Sequence, residues 1–333
     1  MKAVIITENK DLIWSDVSDP VLTDGEVLVE IHAAAINRAD LMQVEGNYPP
    51  PLGCPDWPGL EISGVILETN GETGQWKAGD KVCALLGGGG YAEYAAVHHS
   101  MLMPVPKGLS MVEAAALPEA FATAYLNLFI EGGAKAGNTL LMHAGASGLA
   151  SVIIPMAKAF GLRVITTVLD AEKAVSIDHL NADIVVDTSE QNIEDVLKEQ
   201  EDLGHPLNIA IDCLGSEKVG MCFPHVAYGC RWIMIATLAG DISAVNLRTM
   251  FMKNIRLIGS TLRSKPPEVK AQILASLVKD VWPKVESGKV RPTIYKILPI
   301  TEAKAGHALL QDGKSVGKVV LTVKNKGEGE LSL

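Results

Sequence analysis

The chain has 333 residues, 48% of them hydrophobic and 20% charged, which is enough for two domains with separate cores. Its formal net charge is -10 and it holds no run of Lys and Arg, which excludes nucleic acid as the expected partner. Five cysteines, with no C-x-x-C pair, exclude a disulfide framework and a structural zinc lobe, and fit reduced thiols.

Residues 1 to about 110 read as short strands and turns. Met1 to Glu8 has no long apolar stretch with a cleavage site, and no apolar run approaches the roughly 18 residues of a membrane span. A cytoplasmic protein without membrane contact is therefore expected. Glu26 to His32 alternates like a half-buried strand, and Ile62 to Leu67 and Lys81 to Leu86 look similar. Pro49-Pro50-Pro51 and Gly87-Gly88-Gly89-Gly90 punctuate loops. Ser110-Met111-Val112-Glu113 fits a capping box, so a helix is predicted to start there and run through Ala116.

The middle changes character. Six apolar strands are predicted at Thr139–His143, Arg163–Val168, Ile184–Asp187, Leu207–Asp212, Arg231–Ala236 and Ile255–Gly259, with helices between them. That alternation predicts a parallel, doubly wound sheet. Pro266-Pro267 then opens a helix expected to end near Gly288. A helix around Glu302 to Leu310 and a strand at Lys318 to Val323 follow, and the polar tail Lys324 to Leu333 is expected to fray. The simplest organisation is a strand-rich domain over 1–120, an inserted dinucleotide domain over 121–262, and a return to the first domain over 263–333.

His143-Ala144-Gly145-Ala146-Ser147-Gly148-Leu149-Ala150 is the sharpest motif. It follows an apolar strand and opens a helix, the context in which small residues let backbone approach a pyrophosphate. The pattern is not a full G-x-G-x-x-G. Pro155 falls inside the expected helix, where it should kink the backbone. The second strand ends at Asp170, followed by Lys173. Lys173 suits an adenosine 2′-phosphate and Asp170 a free ribose 2′-hydroxyl, so both NADPH and NADH stay open. Each residue also reads as a solvated charge at a helix start.

Many zinc alcohol dehydrogenases read Gly-His-Glu where this chain has Gly59-Leu60-Glu61, and the His binds catalytic zinc. Asn37 and Glu119 stand where such enzymes carry two Cys ligands. Catalytic zinc needs three protein ligands, and these positions offer one, so no metal site is expected. With Ala35 to Gln43, Ala84 to Gly89, Leu117 to Ala120, Asp212 to Gly215, Gly229 to Trp232 and Gly317 to Leu321, the chain resembles the quinone oxidoreductases. These are the zeta-crystallin branch of the medium-chain dehydrogenase/reductase superfamily, and the tumour-suppressor-induced members are the most similar.

The resemblance implies an α/β fold, a strand-rich GroES-like catalytic domain plus a Rossmann doubly wound parallel sheet. It implies a homodimer or homotetramer that uses NADPH, with NADH as the alternative, to reduce a quinone or other electrophilic acceptor without metal. By position, Asn37, Asp40 and Tyr48 line the substrate side and Thr123 lies near the nicotinamide. Gly145, Ser147, Gly148 and Leu149 hold the pyrophosphate, and Lys173 meets the 2′-phosphate. Gly215, Ala236, Leu238 and Lys318 touch other parts of the cofactor. The chain departs from the family at Leu169-Asp170, at Thr188 and at Ala150.

A quinone needs a nearby hydride donor and exclusion of water, with a polar group for the developing phenolate. Tyr48 is the expected donor of that hydrogen bond, and the quinone is expected between the two domains. Asp40 also reads as a helix cap. His98, His99, His143 and His307 show no partners in sequence, and thiol catalysis by Cys54 or Cys213 is not expected. Two rivals stand beside this reading, an enoyl-thioester reductase and a non-catalytic cofactor-binding or structural protein.

Overall fold

Short β-branched and aromatic runs open the chain, and they pair. In the computed structural model, which describes residues 1–313 and 315–323, Lys2–Ile6 (β1) and Leu12–Asp16 (β2) form an antiparallel pair. Glu26–Ala35 (β3) buries Val27, Val29, Ile31 and Ala33 in strict alternation, as its sequence predicts. Glu61–Thr69 (β4), Lys81–Leu85 (β5), Tyr94–His98 (β6) and Leu102–Pro104 (β7) follow. The capping box at Ser110 and Glu113 forms and starts the helix Met111–Ala115.

The chain divides into two compact units. One comprises Met1–Ala122, Lys265–Ser287 and the described residues from Pro292 on. The other comprises Thr123–Ser264 and Gly288–Arg291.

The second unit holds six parallel strands, Thr139–Met142 (β8), Arg163–Val168 (β9), Ile184–Asp187 (β10), Leu207–Asp212 (β11), Val226–Met234 (β12) and Arg256–Gly259 (β13). Their order is β10-β9-β8-β11-β12-β13, the 3-2-1-4-5-6 order of a dinucleotide fold. The order reverses between β8 and β11, and ligands of such sheets bind at that point, beyond the carboxyl ends of the strands. Leu141, Ile165, Leu197, Leu207, Phe223 and Trp232 form its core.

The first unit closes with Ile294–Pro299 (β14) and Lys318–Thr322 (β15). Its seven-stranded sheet runs β14-β15-β3-β4-β5-β7, with β6 also on β3. This pairing lays the first and last parts of the chain side by side, since β15 is hydrogen-bonded to β3. Val29, Ile31, Ile62, Ile66, Val82, Val97, Val319 and Leu321 fill the core beneath it.

One predicted helix differs from expectation. The segment read as continuous to Gly288 is two helices, Pro267–Asp280 and Trp282–Glu286, broken at Val281. Pro283 supplies the reason, because it lacks an N–H and its ring crowds the preceding turn. Pro155 does lie inside the helix Ala150–Ala159. The tail Lys324 to Leu333 lies outside the described residues.

Candidate active site

Asn37 follows β3 and begins the helix Arg38–Glu45 as its N-cap, with Asp40 at the third helical position. Asp40 Oδ2 accepts from the Asn37 N–H at 2.7 Å, and Oδ1 accepts from the Gly59 N–H at 3.0 Å. The Tyr91 hydroxyl donates to Asp40 Oδ2 at 3.0 Å and lies 3.3 Å from His307 Nε2. Asp40, Tyr91 and His307 are all buried. Asp40 therefore joins a helix start to the Gly59 turn, and a catalytic role in contact with substrate has no exposed surface to act through. His307 has a partner that sequence reading missed.

Burial pushes the Asp40 carboxyl up to about 6. The folded chain thus holds this proton more tightly than the unfolded chain. The stability that follows is complete below the ordinary value of 3.8 and is lost as pH rises through about 6. Asp40→Asn turns one acceptor into a donor facing a donor and is expected to cost about 1–3 kcal/mol. Urea midpoints measured from pH 4 to pH 7 should also lose part of their downward slope. A variant as stable as wild type, with the same slope, would contradict this account.

Next to Asn37 lies a buried ion pair. Lys318 Nζ is 2.7 Å from Glu61 Oε1, with the two side chains 4% and 0% exposed. The same ammonium donates to Asn37 Oδ1 at 2.7 Å and to the Ile36 carbonyl at 3.0 Å. Asn37 Nδ2 donates to Glu61 Oε1 at 3.0 Å, and Glu61 Oε2 accepts the Glu119 N–H at 2.9 Å. Three acceptors match the three protons of an ammonium. Lys318 thus spends its donors on Glu61 of β4 and on Ile36 and Asn37 in the turn after β3, which leaves none for the cofactor contact expected of it.

This cluster holds Asn37 and the Glu119 backbone, two of the positions compared above with a zinc ligand set. Leu60 is buried, and among the described residues no group of three or more His, Cys, Asp or Glu side chains is arranged to hold a metal ion. The donor set, one amide already bonded on both atoms and one carboxyl, does not fit zinc.

Glu119 is the second residue of the helix Pro118–Tyr125 and is half-buried. Burial pushes its carboxyl up to about 7, and the Glu61 charge and, more weakly, Asp40 raise it further against the lowering effect of Lys318 and Lys270. Sequence reading noted Glu119 for the ligand it replaces and missed the titration. Glu61 was missed as a site residue, although its place beside Leu60 was the available signal.

Tyr48 is half-buried on the loop that leaves the helix at Gly46, whose φ is +85°. That loop is held by the glycine run. A Cβ at Gly87 would lie 2.5 Å from Cys54 Sγ, and one at Gly89 would lie 2.8 Å from Pro55 Cγ. Small residues there let the loop around Pro51, Cys54 and Pro55 pack down on the glycine run.

In the second unit, the motif after β8 forms the loop at the reversal point. Gly145 N–H bonds the Thr167 carbonyl at 2.8 Å, and a Cβ on Gly145 would sit 2.6 Å from Thr166 Oγ1. Ser147 Oγ accepts the Ala150 N–H at 3.1 Å and starts the ten-residue helix Ala150–Ala159. Among the described residues, the N–H groups of Gly148 and Leu149 have no partner. Free amides at a helix N-terminus suit a pyrophosphate, so these residues fit a dinucleotide.

The neighbouring loops are built by Asp212. Its Oδ1 accepts from the N–H groups of Leu214 and Gly215 at 2.7 and 3.0 Å, and Oδ2 accepts from Trp232 Nε1 at 3.0 Å. Gly215, with φ of +67°, bridges to Gly240, and a Cβ there would meet the Gly240 carbonyl at 2.5 Å. The Leu238 N–H bonds the Cys213 carbonyl at 3.0 Å, and Ala236 follows the end of β12. The structure thus gathers Gly145, Ser147, Gly148, Leu149, Gly215, Ala236 and Leu238 at the carboxyl ends of the parallel strands.

Thr123 is half-buried, and its carbonyl accepts from Asn127 Nδ2 at 2.8 Å. His143 is buried with Nδ1 3.0 Å from Thr167 Oγ1. Burial pushes the Cys213 thiol up to about 12, a value at which no thiolate forms near neutral pH. Asp170 Oδ1 caps the helix Ala171–Ser176 by accepting the Lys173 N–H at 2.8 Å.

Comparison with known proteins agrees with this geometry. Residues 23–107 match the alcohol dehydrogenase GroES-like domain, and residues 148–279 match the zinc-binding dehydrogenase family. The chain is 30% identical over 329 residues to a quinone oxidoreductase-like protein 2 homolog of Nematostella vectensis, covering 97% of this chain and 89% of that one. It is 29% identical to a 2-methylene-furan-3-one reductase of Solanum lycopersicum, covering 92% of this chain and 74% of that one. The quinone oxidoreductase of Thermus thermophilus, solved alone and with NADPH, superposes with a TM-score of 0.82 at 28% identity, covering 97% of this chain and 100% of that one.

Proposed function

The chain belongs to the medium-chain dehydrogenase/reductase superfamily, and from that premise we propose that it is a zinc-independent, NAD(P)H-dependent quinone oxidoreductase. The observation that carries the reading is the Lys318 ammonium bonded to Glu61 and Asn37, with Leu60 in the core. Alcohol oxidation in zinc relatives relies on a Lewis acid, whereas a quinone is electrophilic without one. Reduced nicotinamide, when bound, would supply the hydride; the second unit's loops would hold its pyrophosphate and Thr123 would serve the nicotinamide end. The Tyr48 hydroxyl holds the acceptor oxygen by hydrogen bond, and Asn37 keeps the cluster beside it in place. A cytoplasmic homodimer or homotetramer completes the reading.

NADPH is the proposed donor and Lys173 its 2′-phosphate contact, with NADH the alternative. Asp170→Ser removes a like charge and keeps an N-capping oxygen, so the helix survives the change. It is expected to raise the NADPH-to-NADH ratio of kcat/KM about tenfold, equivalent to about 1.4 kcal/mol. An unchanged ratio would show that Asp170 serves the helix alone.

The direct test is oxidation of NADPH and NADH followed by absorbance with an ortho-quinone, a para-quinone and a crotonyl thioester. Quinone-dependent turnover is expected. The Solanum lycopersicum relative is named a 2-methylene-furan-3-one reductase, and turnover of the thioester alone would favour an enoyl-thioester reductase. Cofactor binding with no turnover of any acceptor would favour a non-catalytic role.

A further inference from the structure

Reducing a quinone takes two electrons and two protons, and a hydride brings one proton with its electron pair. The second proton must come from the protein or from water. Phenols such as Tyr48 are strong hydrogen-bond donors, but general acids work best when they titrate near the working pH.

We propose that Glu119 is the proton donor to the reduced acceptor, held for that task by Glu61, Asn37 and Lys318. Three geometric observations carry this. First, Glu119 is fixed beside the Glu61 carboxylate, because its own N–H is bonded to Glu61 Oε2 at 2.9 Å. Second, Glu61 is sealed with Oε1 against the Lys318 ammonium at 2.7 Å, so it presents no surface to an acceptor. Third, Asp40 is sealed too and accepts three hydrogen bonds, whereas Glu119 is half-buried. Among the three carboxyls Asp40, Glu61 and Glu119, Glu119 is the one that is not sealed.

The electrostatic setting suits the role. Burial and the Glu61 charge hold the Glu119 proton up to about 7, so the acid is protonated below neutral pH and loses its proton as pH rises through about 7. The facing charges are Glu61 on β4, Lys318 on β15, Asp40 in the helix Arg38–Glu45 and Lys270 in the helix Pro267–Asp280. The step balances. The hydride's electron pair reduces the quinone to a hydroquinone anion, and the nicotinamide is oxidised. The Glu119 O–H bond breaks, a new O–H bond forms on the anion, and water reprotonates the carboxylate.

This inference rests on the reductase reading, and its test separates the two. Steady-state rates of the full chain would be measured with NADPH and a para-quinone from pH 5.5 to pH 9. For wild type, kcat is expected to fall as pH rises through about 7. Glu119→Gln should lower kcat on the order of 100-fold with KM nearly unchanged, and should lose that basic limb. Glu119→Asp should recover part of the rate and keep a limb, which covers the case in which the Gln variant fails to fold. Lys270→Met removes a cation that lowers the Glu119 value, so its limb should move to higher pH. Tyr48→Phe should lower kcat and retain the limb. Absence of quinone turnover in wild type would sink the reductase reading and the donor role with it. Turnover in Glu119→Gln with an intact basic limb would sink the donor role alone.

Discussion

Lys318→Met is expected to destabilise the first unit by about 3–5 kcal/mol, a large fraction of what holds a domain together. The pair is sealed, with Lys318 4% and Glu61 0% exposed. Taking a carboxylate out of water costs several kcal/mol, and here the ammonium at 2.7 Å offsets that cost. Methionine matches the aliphatic stem but leaves Glu61 with the Asn37 amide and the Glu119 N–H as its partners. It also strips Asn37 Oδ1 and the Ile36 carbonyl of a donor. Glu61→Gln in the same chain removes the unpaired charge, so the double variant should recover more than half of the loss. Urea unfolding of the four chains in the double-mutant cycle reads the coupling directly. A single variant within about 1 kcal/mol of wild type would mean that water reaches Glu61.

Gly145→Ala should weaken binding of reduced nicotinamide dinucleotide by about 10- to 100-fold while the fold persists, given the usual overpacking cost of about 1–3 kcal/mol. A Cβ there would lie 2.6 Å from Thr166 Oγ1, 2.9 Å from Ile177 Cδ1 and 3.1 Å from Thr166 Cγ2. Thr166 cannot step aside cheaply, because it is buried and its hydroxyl donates to the Met142 carbonyl at 2.7 Å. The loop must move instead, and the Gly148 and Leu149 amides move with it. Fluorescence titration with NADPH and NADH measures the effect. Thr166→Ala added to Gly145→Ala removes two of the three crowding atoms and should restore part of the affinity. Unaltered binding by the single variant would place the dinucleotide elsewhere.

Some of this was legible in the sequence. The strands of the parallel sheet were, since strands covered on both faces read as unbroken apolar runs. Thr139–Met142, Arg163–Val168, Ile184–Asp187 and Leu207–Asp212 fall within a residue of their predicted places. Leu12–Asp16 and Ile294–Pro299 were not foreseen, because they are largely half-buried or exposed and show no alternation. The break at Val281 was missed because apolar periodicity continued across it while Pro283 interrupted the backbone. Asp40 read ambiguously as catalyst or cap, and its own burial together with its hydrogen bonds to Asn37, Gly59 and Tyr91 favours the structural role.

The sequence by itself determined most strands of the parallel sheet, the small-residue loop after β8, and the residue types at Asn37, Leu60 and Glu119. Those follow from side-chain type and local period, which neighbours along the chain decide. The tertiary structure alone decided what surrounds those three residues. Pairing β15 with β3 carries Lys318 to Glu61 and Asn37 from the far end of the sequence. The tertiary fold also sets Glu119, on the helix Pro118–Tyr125, beside the buried Glu61 carboxylate, and its proton is held up to about 7. Charge interactions and desolvation depend on separation and burial in space, and a sequence lists neither.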